Sequence, residues 1–183
     1  MSDRKPMILV FAGPNGSGKS TITQFFDTVG TYTNADDMVS ATGMKNEDAA
    51  VLADKMRYDS IKNKEDFTFE TVLSSHYKLD ILEKAKAEGY FIKCIFVLTV
   101  DPAVNVARVA ARVSLGGHNV DEDKIRSRYV KSLGNIKNLI ELCDILHVYD
   151  NTEEPIRIIR KHKDDISIFP NDLWSEEKIL SLF

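Results

Sequence analysis

The sequence predicts an α/β fold, with a mainly parallel sheet held between two layers of helices. Three observations predict it. Met7–Ala12 (MILVFA) and 91–100 (FIKCIFVLTV, apolar apart from Lys93) are runs that suit strands buried on both faces. Helical patterns lie between the strand candidates, the alternation that builds parallel sheets. The 183 residues amount to one domain of ordinary size, 1–183, organised as a three-layer αβα sandwich.

Each element follows in order. Met7–Ala12 is the first strand, and a helix is expected over 17–26. A short strand is placed at 31–34. Asn46–Asn63 carries Ala50, Leu52, Ala53, Met56, Tyr58 and Ile61 among charges and reads as a helix. Phe67 and Phe69 flank Thr68, so Phe67–Thr71 is a strand. A helix over 77–88 stops at Gly89, a helix-ending residue. The run at 91–100 leads into Asp101-Pro102, an N-cap followed by proline in the first turn, which opens a helix to about Ser114. One long helix is expected over 121–142, with a stripe of Ile125, Tyr129, Leu133, Ile136, Leu139 and Ile140. Ile145–Asp150 closes the set of core strands. The segment 153–183 then gives two short strands around a Lys-Asp-Asp turn and a short capped helix, WSEEKILSLF.

Composition narrows the function classes. A net charge of −4 argues against a chain that wraps nucleic acid or lies on anionic lipid. Cys94 and Cys143 form no CxxC pair, and His76, His118, His147 and His162 have no ligand spacing, so neither a disulfide framework nor zinc is expected. No apolar run has the length of a membrane span or a signal peptide, and a cytoplasmic location is expected.

Directly after the first strand comes GPNGSGKST. Gly13, Gly18, Lys19 and Ser20 fit G-x-x-x-x-G-K-[ST], between an apolar strand and a helical pattern. The glycines let the backbone turn tightly and aim N–H groups inward, and the helix that follows presents its positive dipole end. Gly13, Pro14, Asn15, Gly16, Ser17, Gly18, Lys19, Ser20 and Thr21 are therefore the candidate nucleotide contacts. Lys19 reaches the β- and γ-phosphates, and Ser20 is the candidate Mg²⁺ ligand. ATP and Mg²⁺ are the implied cofactors. This loop makes the fold a P-loop NTPase; motor or switch NTPases, kinases of small molecules and kinases of nucleic acid ends all use it, so the nucleotide-kinase type is expected from the residues that follow and not from the loop.

Later residues must identify the phosphate acceptor. Asp36 and Asp37 follow a strand end, where ligands sit on such sheets. A carboxylate there can take the proton of an attacking hydroxyl, or can cap a helix; Asp36, nearer the strand, is the preferred base. Glu70 falls at the end of its strand, where it can orient an acceptor, hold a metal-bound water or cap a helix. Arg108 and Arg112 share a helix face, as do Lys124, Arg128 and Lys131, and Gly116-Gly117-His118 lies between the two helices. Two basic helices joined by a glycine turn make a lid at about 108–131. Arg112 and Arg128 are read as its charge-neutralising arginines. Arg108, Arg126 and Lys131 are read as solvated surface. His118 is a candidate substrate contact in the turn. The loop after the last core strand gives Asn151 a place on the adenine.

In this order GPNGSGKST, NADDM, FETVLS, GGHNVDEDKIRSRYVKSL and VYDNT resemble the zeta toxin family of P-loop kinases, over about 7–152. The resemblance implies phosphoryl transfer from ATP to a hydroxyl. In the family's studied members this is the 3′-hydroxyl of a UDP-N-acetylamino sugar, and an antitoxin protein restrains the activity. It further implies that Lys19 and Ser20 serve phosphate and Mg²⁺, that Asp36 is the general base, and that Glu70 with Thr71 contacts the acceptor. Arg112 and Arg128 correspond to arginines near the γ-phosphate. The chain lacks the larger members' extra segments, which help form the sugar-nucleotide pocket. Two other classes compete: a kinase of nucleic acid ends, and a nucleotide-gated binding module without catalysis.

Overall fold

The computed structural model describes residues 4–183; residues 1–3 of the predicted 1–183 domain lie outside it. One seven-stranded sheet runs in the order β2-β3-β1-β4-β5-β6-β7. The strands are β1 (Met7–Ala12), β2 (Thr31–Thr33), β3 (Phe67–Thr71), β4 (Phe91–Leu98), β5 (Ile145–Asp150), β6 (Ile156–His162) and β7 (Asp165–Ile168). The first five are mutually parallel, and β6 and β7 are added antiparallel at one edge. The helices are α1 (Lys19–Thr23), α2 (Ala35–Thr42), α3 (Asn46–Asn63), α4 (Tyr77–Ala87), α5 (Pro102–Ser114), α6 (Glu122–Gly134), α7 (Ile136–Leu142) and α8 (Glu176–Leu180).

The two apolar runs are buried on both faces, for the reason their composition gives. On one face Ile8 and Val10 of β1 join Ile92, Cys94 and Phe96 of β4, packed with Ile61 (α3), Leu82 (α4), Leu139 (α7) and Ile179 (α8). On the other face Leu9, Phe11, Ile95 and Val97 pack with Ile22 of α1. Burying such side chains contributes about 1.5–3 kcal/mol each. The sheet centre is therefore rigid, and the loops at the carboxyl ends of β1, β2, β3, β4 and β5 are held on one rim.

Three elements differ from expectation. The first helix starts at Lys19 and ends at Thr23, because Gly18 (φ 78°) belongs to the loop and caps the helix in a left-handed conformation. The single helix expected over 121–142 is divided at Asn135 into α6 and α7. The Asn135 amide donates to the Leu73 carbonyl at 2.9 Å, so a tertiary bond accompanies the break. The third is α2, which directly follows β2: a helix there entered the sequence reading only through the capping alternative for Asp36 and Asp37, and both lie within its first turn.

Candidate active site

The chain turns immediately after β1. A Cβ at Gly13 (φ 143°) would lie 2.0 Å from the Val97 carbonyl oxygen, so β4 leaves room for glycine alone. Gly16 (φ 76°) backs onto the Asn105 carbonyl in the same way, at 2.4 Å. Side chains from distant segments brace the loop. Asn105, fully buried on α5, donates to the Asn15 carbonyl at 2.7 Å and accepts from the Thr99 hydroxyl. Asn151 donates to the carbonyls of Ser17 (3.0 Å) and Gly18 (3.3 Å). Arg128 donates to the Asn15 side-chain oxygen at 3.1 Å. The Thr21 N–H of α1 donates to the Gly18 carbonyl at 3.0 Å, and the N–H groups at the very start of a helix are those that can turn to a bound phosphate.

Two clefts meet at this loop. The smaller, about 210 Å³, is lined by Gly16, Gly18, Lys19 and Ser20 on one side and by Arg108, Val109 and Arg112 of α5 on the other. The larger, about 520 Å³, extends from the loop to Asp36 of α2, to the 70–75 segment leaving β3, and to Arg112, His118 and Arg128. Gly16, Lys19, Glu70 and Arg112 line both.

Lys19 occupies the junction. Its Nζ donates to the carbonyls of Gly13 (2.9 Å) and Pro14 (3.4 Å) and lies 3.8 Å from Glu70 Oε1. Burial pushes the ammonium pKa down, against the pull of Glu70 and Asp36. Burial pushes the Glu70 carboxyl up, against the pull of Lys19. The Tyr32 hydroxyl donates to Glu70 at 3.4 Å, and burial with the Glu70 charge raises its pKa to about 12. Glu70 thus caps no helix; it stands between a phenol and an ammonium.

Asn34 decides the question of the cap. Its side chain accepts from the Asp36 N–H at 3.0 Å, so the cap of α2 is Asn34. The Asp36 carboxylate is exposed in the large cleft and makes no hydrogen bond or ion pair among the described residues. Thr71 is buried, and its hydroxyl accepts from the Leu73 N–H at 3.1 Å. Leu73 itself has φ 53°, a conformation disfavoured for leucine, held by Asn135 on its carbonyl and by Ser132 on that of Val72. His118 enters through its carbonyl, which accepts from Arg112 at 2.8 Å. Ser20 lines the small cleft and Thr21 lines neither.

Two placements correct the sequence reading. Asn151 holds the loop with its amide and is almost fully buried, so that amide is not directed at an adenine. Arg108 is not solvated surface: it is half-buried, lines the small cleft and donates to the Thr152 carbonyl at 3.0 Å. A further group escaped the sequence altogether. Arg57, stacked 4.5 Å over Phe69, and Lys78 converge on Asp54 at 2.9 and 2.7 Å in the wall of the large cleft. The sole sequence signal was the i,i+3 spacing of Asp54 and Arg57, which also suits an exposed helix face.

The zeta toxin family model matches residues 31–173. The chain belongs to the zeta toxin family. The match begins after the phosphate loop, so loop and family are independent observations. An uncharacterized protein of Haemophilus influenzae is 30% identical over 127 residues, 66% of this chain and 91% of that protein. The AvrRxo1-ORF1:AvrRxo1-ORF2 complex crystallised with ATP contains a similar fold, at TM-score 0.71 and 17% identity over 98% of this chain. This chain spans 65% of the length of that one. The structure of the PezAT chromosomal toxin-antitoxin system of Streptococcus pneumoniae matches all of this chain and 86% of its own, at TM-score 0.64 and 13% identity. These solved structures share the fold of this zeta toxin family member.

Proposed function

We propose that this chain is a kinase that transfers the γ-phosphate of ATP to a hydroxyl of a small molecule, a UDP-N-acetylamino sugar being the favoured acceptor. The observation that carries the reading is the meeting of two clefts at Gly16, Lys19, Glu70 and Arg112. One cleft takes the triphosphate against the loop, and the other takes the acceptor beside Asp36. A crystallised relative of this fold contains ATP, which supports the same nucleotide here.

Asp36 takes the proton as the acceptor oxygen bonds to the γ-phosphorus and the bond to the β,γ-bridging oxygen breaks, releasing ADP. Lys19, Arg112 and Arg128 offset the charge on the transferring group, with 108–131 as the lid that carries the arginines. Lys19 exchanges its bonds to the loop carbonyls for phosphate oxygens. Glu70, Thr71 and His118 line the acceptor side. Among the described residues no group of three or more acidic, His or Cys side chains could hold a metal. Mg²⁺ takes few protein ligands beside substrate phosphates, and Ser20, which lines the small cleft, would hold it. When bound, Mg²⁺ neutralises phosphate charge. Lys19, Arg112 and Arg128 line the large cleft against Asp36 and Glu70, and Arg57 and Lys78 share the single carboxylate of Asp54 in its wall, a small cationic excess that favours a phosphorylated acceptor. The family relation also makes an antitoxin protein the partner to look for.

The test incubates the protein with Mg-ATP and a panel of UDP-sugars, nucleosides and short RNAs, with Lys19→Ala as the blank. Mass spectrometry is expected to find one added phosphoryl group on a UDP-N-acetylamino sugar. Phosphorylation of RNA ends would replace this acceptor, and bound ATP without any phosphorylated product would point to a binding module.

A further inference from the structure

The N–H donors of Arg108 are unevenly used. Nη2 donates to the Thr152 carbonyl at 3.0 Å, whereas Nη1 is buried without a hydrogen-bond partner. Arg108 also makes no ion pair among the described residues. A buried donor on a charged group costs free energy until something satisfies it, so such a group requires an explanation. The guanidinium lines the small cleft, opposite Gly18 and Ser20 of the phosphate loop. A Cβ added at Gly18 would sit 3.6 Å from that Nη1, so guanidinium and loop backbone are close neighbours.

Arg108 and Arg112 share one face of α5, one turn apart, but their surroundings differ. Arg112 lines both clefts, and Arg108 lines the small one alone. Arg112 therefore stands at the junction where the phosphoryl group would cross. Arg108 stands beyond it, toward the loop after β5, and Thr152 holds it there.

We propose that Arg108 is a nucleotide-binding residue that grips the part of the nucleotide retained in ADP, away from the transferred phosphate. The inference rests on the reading of the small cleft as the ATP site. A small shift of the guanidinium toward a bound nucleotide gives Nη1 an acceptor on a phosphate or on the base. Planar guanidinium suits both, by paired hydrogen bonds or by stacking. The two arginines then divide the nucleotide between them: Arg108 recognises ADP and ATP alike, and Arg112 responds to the γ-phosphate.

The experiment titrates Mg-ADP and Mg-ATP calorimetrically into the parent, Arg108→Met and Arg112→Met. Arg108→Met is expected to weaken both nucleotides by the same factor, roughly tenfold or more, the size of a lost hydrogen bond to a charged group. Arg112→Met is expected to weaken ATP and leave ADP at parental affinity. Parental affinity for both nucleotides in Arg108→Met overturns the inference and leaves the ATP site standing. Failure of the parent to bind either nucleotide overturns the ATP reading itself, and this inference with it. Arg108→Gln keeps a donor for Thr152 and guards against a folding defect. The same joint loss supports nucleotide contact, and recovery of parental affinity assigns Arg108 to holding Thr152 instead.

Discussion

The loop side and the acceptor side of this site are built differently. The loop comes from one unbroken stretch, 13–21, and its carbonyls are fixed by Asn105 and Asn151, both buried. The acceptor cleft draws on five separate segments and leaves Asp36 and Arg112 exposed in open space. Preorganised donors act without reorganising when charge develops, which suits a phosphate site of constant shape. On the proposed reading, the contrast makes phosphate binding and acceptor choice separable.

The strongest way to break the comparison is Asp36→Asn. It is expected to lower phosphoryl transfer by about 10²–10⁴-fold, the usual contribution of a positioned general base, with ATP affinity unchanged. Equal losses of transfer and ATP binding would show that the two sides are one unit. Arg57→Met comes next. It leaves buried Asp54 with Lys78 as its cationic partner among the described residues and should cost about 1.5–3 kcal/mol in urea denaturation, the size of a lost hydrogen bond to a charged group. An unchanged midpoint would mean that this ion cluster does not shape the acceptor wall.

Asn105→Ala tests the loop side. It removes both hydrogen bonds of a buried amide, for an expected loss of about 1–3 kcal/mol in stability together with weaker ATP binding. Stability lost with ATP affinity intact would separate the brace from the phosphate site.

The smallest effect belongs to Glu70→Gln. Burial holds the Glu70 carboxyl above its ordinary pKa of 4.5, so the folded state keeps this proton to higher pH than the unfolded state. Its contribution to stability is complete below 4.5 and declines as pH rises through the folded value. Glu70→Gln should therefore flatten the stability profile above pH 4.5, measured by denaturant midpoints at successive pH values. A profile of unchanged slope would assign the decline to other groups.

The same contrast explains what the sequence made legible. A phosphate loop must be contiguous, because one turn and one helix terminus supply its donors, and GPNGSGKS carries that chemistry in register. The core strands were equally plain, since Met7–Ala12 and the run into β4 bury both faces and leave no polar alternation. Asn105 was illegible, because an asparagine one turn into a helix has no local signature and acquires its role from the loop ninety residues away. Arg57 was hidden for a related reason: α3 is rich in charge throughout, and what singles out Arg57 is a ring on β3 and a carboxylate shared with Lys78. The break at Asn135 depends on a carbonyl of the β3 exit loop, which no helical periodicity encodes. Arg108 was visible as half of a spaced pair, but its partner on the loop after β5 was not.

The most direct measurement follows labelled γ-phosphate from ATP to UDP-N-acetylglucosamine at saturating Mg-ATP, in the parent and in Asp36→Asn. The account predicts a phosphorylated sugar nucleotide with the parent, and strongly reduced transfer with Asp36→Asn despite full occupancy by ATP. Equal transfer by both proteins would contradict the assignment of Asp36. A parent saturated with ATP that labels no sugar nucleotide would contradict the proposed acceptor.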